Sequence, residues 1–408
     1  RRPNTAGATA GQRAAARAAP ARIEESRMQA TTKAPRVLVI SPAGQVYDGD
    51  RVRWYDQSRS QIEEKYFNIG DMVVYDSTLK MLRLGEVRDL RIIAPTNDDI
   101  EQYKDYDYIV VRASNFIHND MQWHRAVEVL EKVRLPVYAL GVGGQASGRE
   151  KYLLDERNLR FWKVVSERSK LVGVRGTYTA DMLYANGIKN VEICGCPSLF
   201  RARNRGLRIE KPADPRSVAF SIRREASATY TADIRTYLER QRDFLLRVAG
   251  AFDTTVTIHG EPEEKAFFYG REDLMAPAEA EFRASGWWTP ETEERMRALY
   301  AEKLFFFLKV SDYDEFIRAR DYAIGYRVHG VLPALANGVP GVLVRYDSRS
   351  GELADSLAIP SVTAEEALRL GPRELVDSVS FDEFNKVFPA RYDKMRFVLE
   401  QNGVPHRL

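Results

Sequence analysis

Short, unbroken apolar runs separated by helical patterns constrain this chain more than any other feature of its sequence. VLVI (37–40), LRIIAP (90–95), YIVVRAS (108–114), VYALGVGG (137–144), LVGVRG (171–176) and VEICGCPSL (191–199) lack the alternation of a strand that is wet on one face. Between them lie MQWHRAVEVLEKVR (121–134) and TYTADMLYANG (177–187), apolar at helical spacing. Apolar strands alternating with helices predict a parallel sheet covered on both sides. Charge, Gly and Pro then interrupt the rhythm in RARNRGLRIEKPADPRS (201–217). It restarts with VAFSIRR (218–224), the helical TADIRTYLERQRDFLLRVAG (231–250), TTVTIHG (254–260), YAIGYRVHG (322–330) and GVLVRY (341–346). The aromatic-rich stretch 285–308 reads as helical, with Trp287 and Trp288 packed against their own domain. The expected fold is therefore α/β, with two Rossmann-like doubly wound domains in series and a cleft between them.

Two domains also suit the length, since 408 residues exceed what one hydrophobic core usually organises. We read 1–36 as a disordered leader or tag-like tail, 37–205 as the N-terminal domain, 216–375 as the C-terminal domain and 376–408 as a helical segment. The whole chain carries +3 and the first 36 residues carry +6, with eight Arg or Lys against two Glu, which leaves −3 for the rest. A slightly acidic body is no footprint for nucleic acid, although the basic tail leaves peripheral membrane association open. Cys194 and Cys196 stand too close together for an unstrained disulfide, and two cysteines are too few for a zinc site, which points to a reducing compartment. No His/Cys/Asp/Glu spacing suggests a metal, and we expect none.

In doubly wound sheets ligands bind at the carboxyl ends of strands, and GVGG, VRG, SIRR, IHG and YRVHG all fall at such ends. Arg327 and His329 stand two apart on the turn after an apolar run; read as a strand end, this points both side chains the same way and Tyr326 and Val328 the other. A permanent cation beside a titratable imidazole suits an arriving anion. Gly143 and Gly144 form a turn that admits close backbone approach of a ligand or tight packing. Arg175 is expected to be structural. His259 and the acidic run GEPEEK behind it are expected on a solvated face, and His118 and His124 on a loop and a helix surface.

The stretch YAIGYRVHGVLPALANGVPGVLVRYDS closely resembles the C-terminal signature of the polysaccharide pyruvyl transferase family: a strand, Arg-x-His-Gly, a small helix, Gly-x-Pro, a strand and a Tyr. FNIGDMVVYDSTLKML (67–82) resembles the same family's Gly/Asn-x-Gly-Asp turn through Asn68, Gly70 and Asp71. Two departures stand out. Cys196 in GCP occupies a place where Asp is commoner, and the family's Lys after the Tyr is Arg349 or absent.

The resemblance implies a fold like that of the two-domain glycosyltransferases (GT-B-like) and transfer of pyruvyl from phosphoenolpyruvate to a sugar, forming a ketal. It implies donor binding by Arg223, Arg327 and His329 on the C-terminal side, with His329 catalytic. It implies acceptor contact through Asn68, Gly70 and Asp71 on the N-terminal side, although capping a helix is the default use of an Asp at position 71; the glycine turn adds Gly143 and Gly144 as weaker acceptor contacts. The chemistry of the residues agrees. Arg presents a planar, always-charged fork to carboxylate or phosphate, and imidazole moves protons near neutrality. Phosphoenolpyruvate is then a co-substrate and no cofactor is needed. The acceptor is a lipid-linked, nucleotide-linked or polymeric glycan, and the setting is cytoplasmic, at the inner face of the membrane where the acceptor is lipid-linked. A nucleotide-sugar glycosyltransferase of the same fold and a non-catalytic glycan-binding protein are the competing readings. Oligomeric state stays open.

Overall fold

The computed structural model describes residues 34–408 apart from 42–44, 49–50, 55–58, 67, 92–99, 146–151 and 225–232. The tail through residue 33 and the end of the LRIIAP run thus lie outside the described residues. In the first domain β1 (Arg36–Ser41), β4 (Glu86–Arg91), β5 (Tyr108–Val111) and β6 (Val137–Ala139) form a parallel sheet in the order β4-β1-β5-β6. The pair β7 (Val172–Val174) and β8 (Val191–Ile193) continues it through a single Val142–Val174 bridge. A hairpin of β2 (Gln45–Asp48) and β3 (Arg51–Trp54) was not anticipated.

The second sheet is wholly parallel: β9 (Ser217–Ser221), β10 (Asp253–Thr257), β11 (Leu304–Phe305), β12 (Tyr322–Gly325), β13 (Gly341–Arg345) and β14 (Ser361–Thr363), ordered β11-β10-β9-β12-β13-β14. The reading of 285–308 as helix is corrected at both ends: 285–292 are turns, the helix spans Glu293–Glu302, and Leu304 and Phe305 pair with β10 as an edge strand. Trp287 and Trp288 are buried in their own domain, and Trp287 Nε1 donates to the Tyr300 hydroxyl at 2.7 Å. Strands such as β5 and β12 are buried along their length because helices cover both faces. Each fully buried Val or Ile there contributes about 1.5–3 kcal/mol.

Six helices position the site: α1 (Ile69–Met81), α2 (Pro262–Phe268), α3 (Val310–Arg318), α4 (Val328–Ala336), α5 (Ser348–Leu357) and α6 (Asp382–Gln401). The α1 helix belongs to the first domain yet leans on the second, with contacts to both α3 and α4. Buried Arg201 holds that join, meeting Asp76 of α1 at 2.8 Å and Asp314 of α3 at 2.5 Å. The chain end returns to the first domain: beyond α6 the Asn402 side chain accepts the N–H groups of Lys170 and Leu171 just before β7. The architecture is GT-B-like, two Rossmann-like domains facing each other across a cleft. No helix among the described residues is long and apolar enough to cross a membrane.

Candidate active site

Three neighbouring strands of the second sheet end at the same level. Thr257 of β10 and Gly325 of β12 both pair with Ser221 of β9. The ladder runs one step further, with Ile222 N–H on the Thr257 carbonyl at 3.3 Å and Tyr326 N–H on the Ser221 carbonyl at 2.9 Å. The residues two past each strand are therefore His259, Arg223 and Arg327, side by side along the carboxyl edge. Tyr346, one past β13, extends the row.

Arg223 is 3% exposed and tightly held. The Gln241 side chain grips both its backbone polar groups, at 2.6 and 2.9 Å, and the Tyr237 hydroxyl donates to its carbonyl at 2.8 Å. Its guanidinium donates to the Tyr346 hydroxyl and lies 4.8 Å from that ring's centre, a cation–π contact that fixes the fork's plane. Neighbouring Arg224, the natural confusion for Arg223, turns to Glu263 and Glu264 and over the Phe282 ring. Its role is internal.

The expectation for Arg327 needs correction. The turn does not continue the strand: Arg327 is the N-cap of α4, and His329 sits in that helix's first turn. The alternation of a strand end therefore does not apply. Arg327 points inward, 5% exposed, donating from Nε to the Ile222 carbonyl at 3.2 Å and from Nη2 to Glu261. Glu261 in turn accepts the backbone N–H of His259 at 3.0 Å, and the guanidinium holds its carboxyl down at about 2 against the opposing effect of burial. Gly330 completes the motif for a packing reason. A Cβ there would stand 2.4 Å from Ser221 Oγ, so only glycine lets α4 start this close to β9.

The GEPEEK run and His259 are not on a solvated face. Glu261, Glu264 and Lys265 are buried, and His259 is 0% exposed. Burial pushes the Glu264 carboxyl up to about 7 and the Lys265 ammonium down to about 8. Lys265 donates to the carbonyls of Ile62 and Lys65, at the end of the helix Arg59–Glu64 in the opposite domain. A cation there complements the negative end of that helix.

From the first domain, α1 points its N-terminus at this edge. Asn68 caps it by accepting the Gly70 N–H at 3.2 Å, and the Ile69 N–H reaches across to the His259 carbonyl at 2.8 Å. Half-buried His329 packs against Gly70, and its Nε2 lies 3.8 Å from Cys196 Sγ. Burial raises the Cys196 thiol, so the partner of that imidazole is a neutral S–H group. Asp71, in the first turn of α1, accepts from Ser114 Oγ at 3.2 Å. The structure thus brings Asn68, Gly70 and Asp71 together with Arg223, Arg327 and His329. Gly143 and Gly144 are accounted for by packing: a Cβ would stand 2.2 Å from the Arg175 guanidinium at one and 2.2 Å from Met182 Sδ at the other.

A family model for polysaccharide pyruvyl transferase matches residues 68–348. The chain belongs to that family. The matched span begins at the Asn68 cap and ends just after Tyr346, so both edges of the cleft lie inside it. No curated protein matches the chain. Among solved structures, the UDP-GlcNAc 2-epimerase of Methanocaldococcus jannaschii is similar at 10% identity and a TM-score of 0.47, covering 89% of this chain and 98% of its own. The Neisseria meningitidis UDP-GlcNAc 2-epimerase bound to UDP-GlcNAc is similar at 9% identity and 0.41, covering 90% and 99%. E. coli heptosyltransferase WaaC is similar at 10% and 0.31, covering 82% and 98%.

As a member of this family the chain is a transferase of pyruvyl groups, with a polysaccharide or other glycan as acceptor. Sequence reasoning missed Tyr346, Gln241, Glu261 and Cys196 as parts of the site. Tyr346 and Cys196 each follow a strand end, a signal that was available. Gln241 reaches in from mid-helix, and no local pattern marks it. The Arg349 side chain lies outside the described residues. Among the described residues no cluster of three His, Cys, Asp or Glu is placed to hold a metal.

Proposed function

We propose that this pyruvyl transferase takes its pyruvyl group from phosphoenolpyruvate and sets it as a ketal on two hydroxyls of one sugar unit of a polysaccharide or its precursor. The observation that carries the reading is the meeting of His329 with the N-terminus of α1. A proton-moving side chain lies between the strand ends bearing Arg223 and Arg327 and the turn bearing Asn68, Gly70 and Asp71.

In this reading Arg223 and Arg327 face the donor's carboxylate and phosphate with fixed positive charge, and the first turn of α4 adds backbone N–H donors and the helix's positive end. Glu261 fixes Arg327 in place. His329 delivers a proton to the methylene carbon of phosphoenolpyruvate, which becomes the methyl group as positive charge builds on the adjacent carbon. One sugar hydroxyl adds there, the C–O bond to phosphate breaks, and the second hydroxyl adds in its place. One hydroxyl proton replaces the proton drawn from His329 and the other leaves with phosphate. Asp71 accepts a hydrogen bond from an acceptor hydroxyl and orients it. General acid–base help of this kind contributes about 10²–10⁴-fold.

The test supplies phosphoenolpyruvate with lipid-linked, nucleotide-linked and free glycans to the full chain, following phosphate release and acceptor mass together. The expected result is a mass gain of one pyruvate less one water, matched by phosphate and abolished in His329→Gln. Phosphate release without acceptor gain, or acceptor gain only from a nucleotide sugar, would overturn the reading.

A further inference from the structure

His259 is the titratable member of the strand-end row to which the proposed mechanism gives no part. Register places it beside Arg223, as Arg327 is beside Arg223 on the other side. The three stand two residues past the ends of β10, β9 and β12. Yet His259 is 0% exposed, and neither ring nitrogen has a hydrogen-bond partner among the described residues. Its recorded neighbours are the Phe307 ring, edge-on at 6.3 Å, and the charges of Arg327, Glu261 and Arg223. Two unmet polar atoms in a closed interior are costly, and a fold that needed only volume there would use an apolar ring. A buried polar group retained at such a cost belongs to the class of local violations expected at functional positions.

We propose that His259 is a third ligand of the donor anion, a neutral imidazole that donates one N–H to an oxygen of phosphoenolpyruvate beside Arg223. This rests on the donor reading above. Burial and the two guanidinium groups push the imidazole down to about 3, so it stays uncharged at working pH. A neutral donor adds a directed hydrogen bond to a site already supplied with positive charge, without a third cation to desolvate. The Ile69 N–H at the start of α1 bonds to the His259 backbone carbonyl at 2.8 Å. That contact crosses between the domains, and the proposal requires it to part when the donor reaches the imidazole.

The experiment compares the wild-type chain with His259→Phe and His259→Asn, measuring phosphoenolpyruvate binding by calorimetry and Tm by differential scanning. Phe fills the ring's space without polar atoms, so Tm rises while donor affinity falls about tenfold or more. Asn keeps an N–H donor and retains more of the affinity than Phe, a comparison that stands even where the Phe variant folds poorly. Donor affinity in His259→Phe equal to wild type, with Asn also unchanged, overturns the assignment and makes His259 a filler. Failure of the wild-type chain to bind phosphoenolpyruvate would instead sink the donor reading itself, and this assignment with it.

Discussion

His329 and Gly70 face each other from opposite domains, close enough that a Cβ built on Gly70 would lie 3.2 Å from His329 Nδ1 and 3.3 Å from its Cβ. Glycine is needed there for space, since its backbone carries no left-handed strain and Ala fits the helix. Gly70→Ala should change Tm little, because the roughly 0.4–1 kcal/mol of chain entropy it saves is offset by the crowding of His329 and, at 3.1 Å, of the capping Asn68 Oδ1. Turnover should fall by roughly tenfold as the imidazole shifts by a few tenths of an ångström, well inside the ~10²-fold that a 1 Å misplacement costs. Parallel kinetics and thermal melts check this; unchanged turnover would show that the ring is free to move.

Arg223 and Arg327 should separate under substitution. Arg223→Ala removes a fork seated on Tyr346 and should weaken donor binding about ten- to hundredfold, from the ~1.5–3 kcal/mol of a lost charge-assisted bond. Arg327→Ala strands the buried Glu261 carboxylate and should cost about 3–5 kcal/mol of stability as well. Urea unfolding of the two variants distinguishes them, with a lowered midpoint expected for Arg327→Ala alone.

Acid should unfold the protein in a window set by His259 and Glu261. Burial lowers the His259 imidazole from its ordinary 6.5 to about 3, so between these values the unfolded chain binds a proton that the native one refuses. The His259 contribution to stability is therefore lost as pH falls from 6.5 toward 3, opposed between 7 and 4.5 by Glu264, whose raised carboxyl takes up a proton first in the native state. Glu261, lowered from 4.5 to about 2, adds loss of the same sign below 4.5. Tm recorded against pH should fall less steeply between 6.5 and 4.5 in His259→Phe than in wild type, while the fall below 4.5 persists in both.

The two domains should also be coupled through Arg175 and Glu352. Their ion pair is 2.8 Å long and buried, and Glu352 of α5 accepts the Thr179 N–H of the opposite domain at 2.7 Å. Glu352→Ala leaves a buried guanidinium unpaired and should cost about 3–5 kcal/mol, with Glu352→Gln milder because it keeps an acceptor for the Thr179 N–H. Denaturant midpoints of the pair check it, and equal midpoints would mean that water reaches Arg175 once the partner is gone.

The strands and the site turns were legible because their signals are local. A strand buried on both faces must be apolar throughout, so VLVI, YIVV and YAIG announce themselves, and a helix N-terminus beside a strand end marks where ligands meet backbone N–H groups. β11 and β14 escaped notice because edge strands of two and three residues leave no run long enough to read. The capping expected of Asp71 is done by Asn68 three residues earlier, and Asp71 lies inside the first turn.

The sequence by itself determined two doubly wound α/β units, the family, and the turns that carry Asn68, Gly70, Asp71, Arg223, Arg327 and His329, since periodicity, turn chemistry and motif spacing are written along the chain. Only the tertiary structure decided which way each charge faces. Arg223 and Arg224 are adjacent and alike, yet one lies on Tyr346 and the other on Glu263 and Glu264. GEPEEK looks like a solvated run until the opposite domain covers it. Burial and pairing are set by partners tens to hundreds of residues away, and with them go the ion pair of Arg327, the unmet nitrogens of His259 and the neutral thiol against His329.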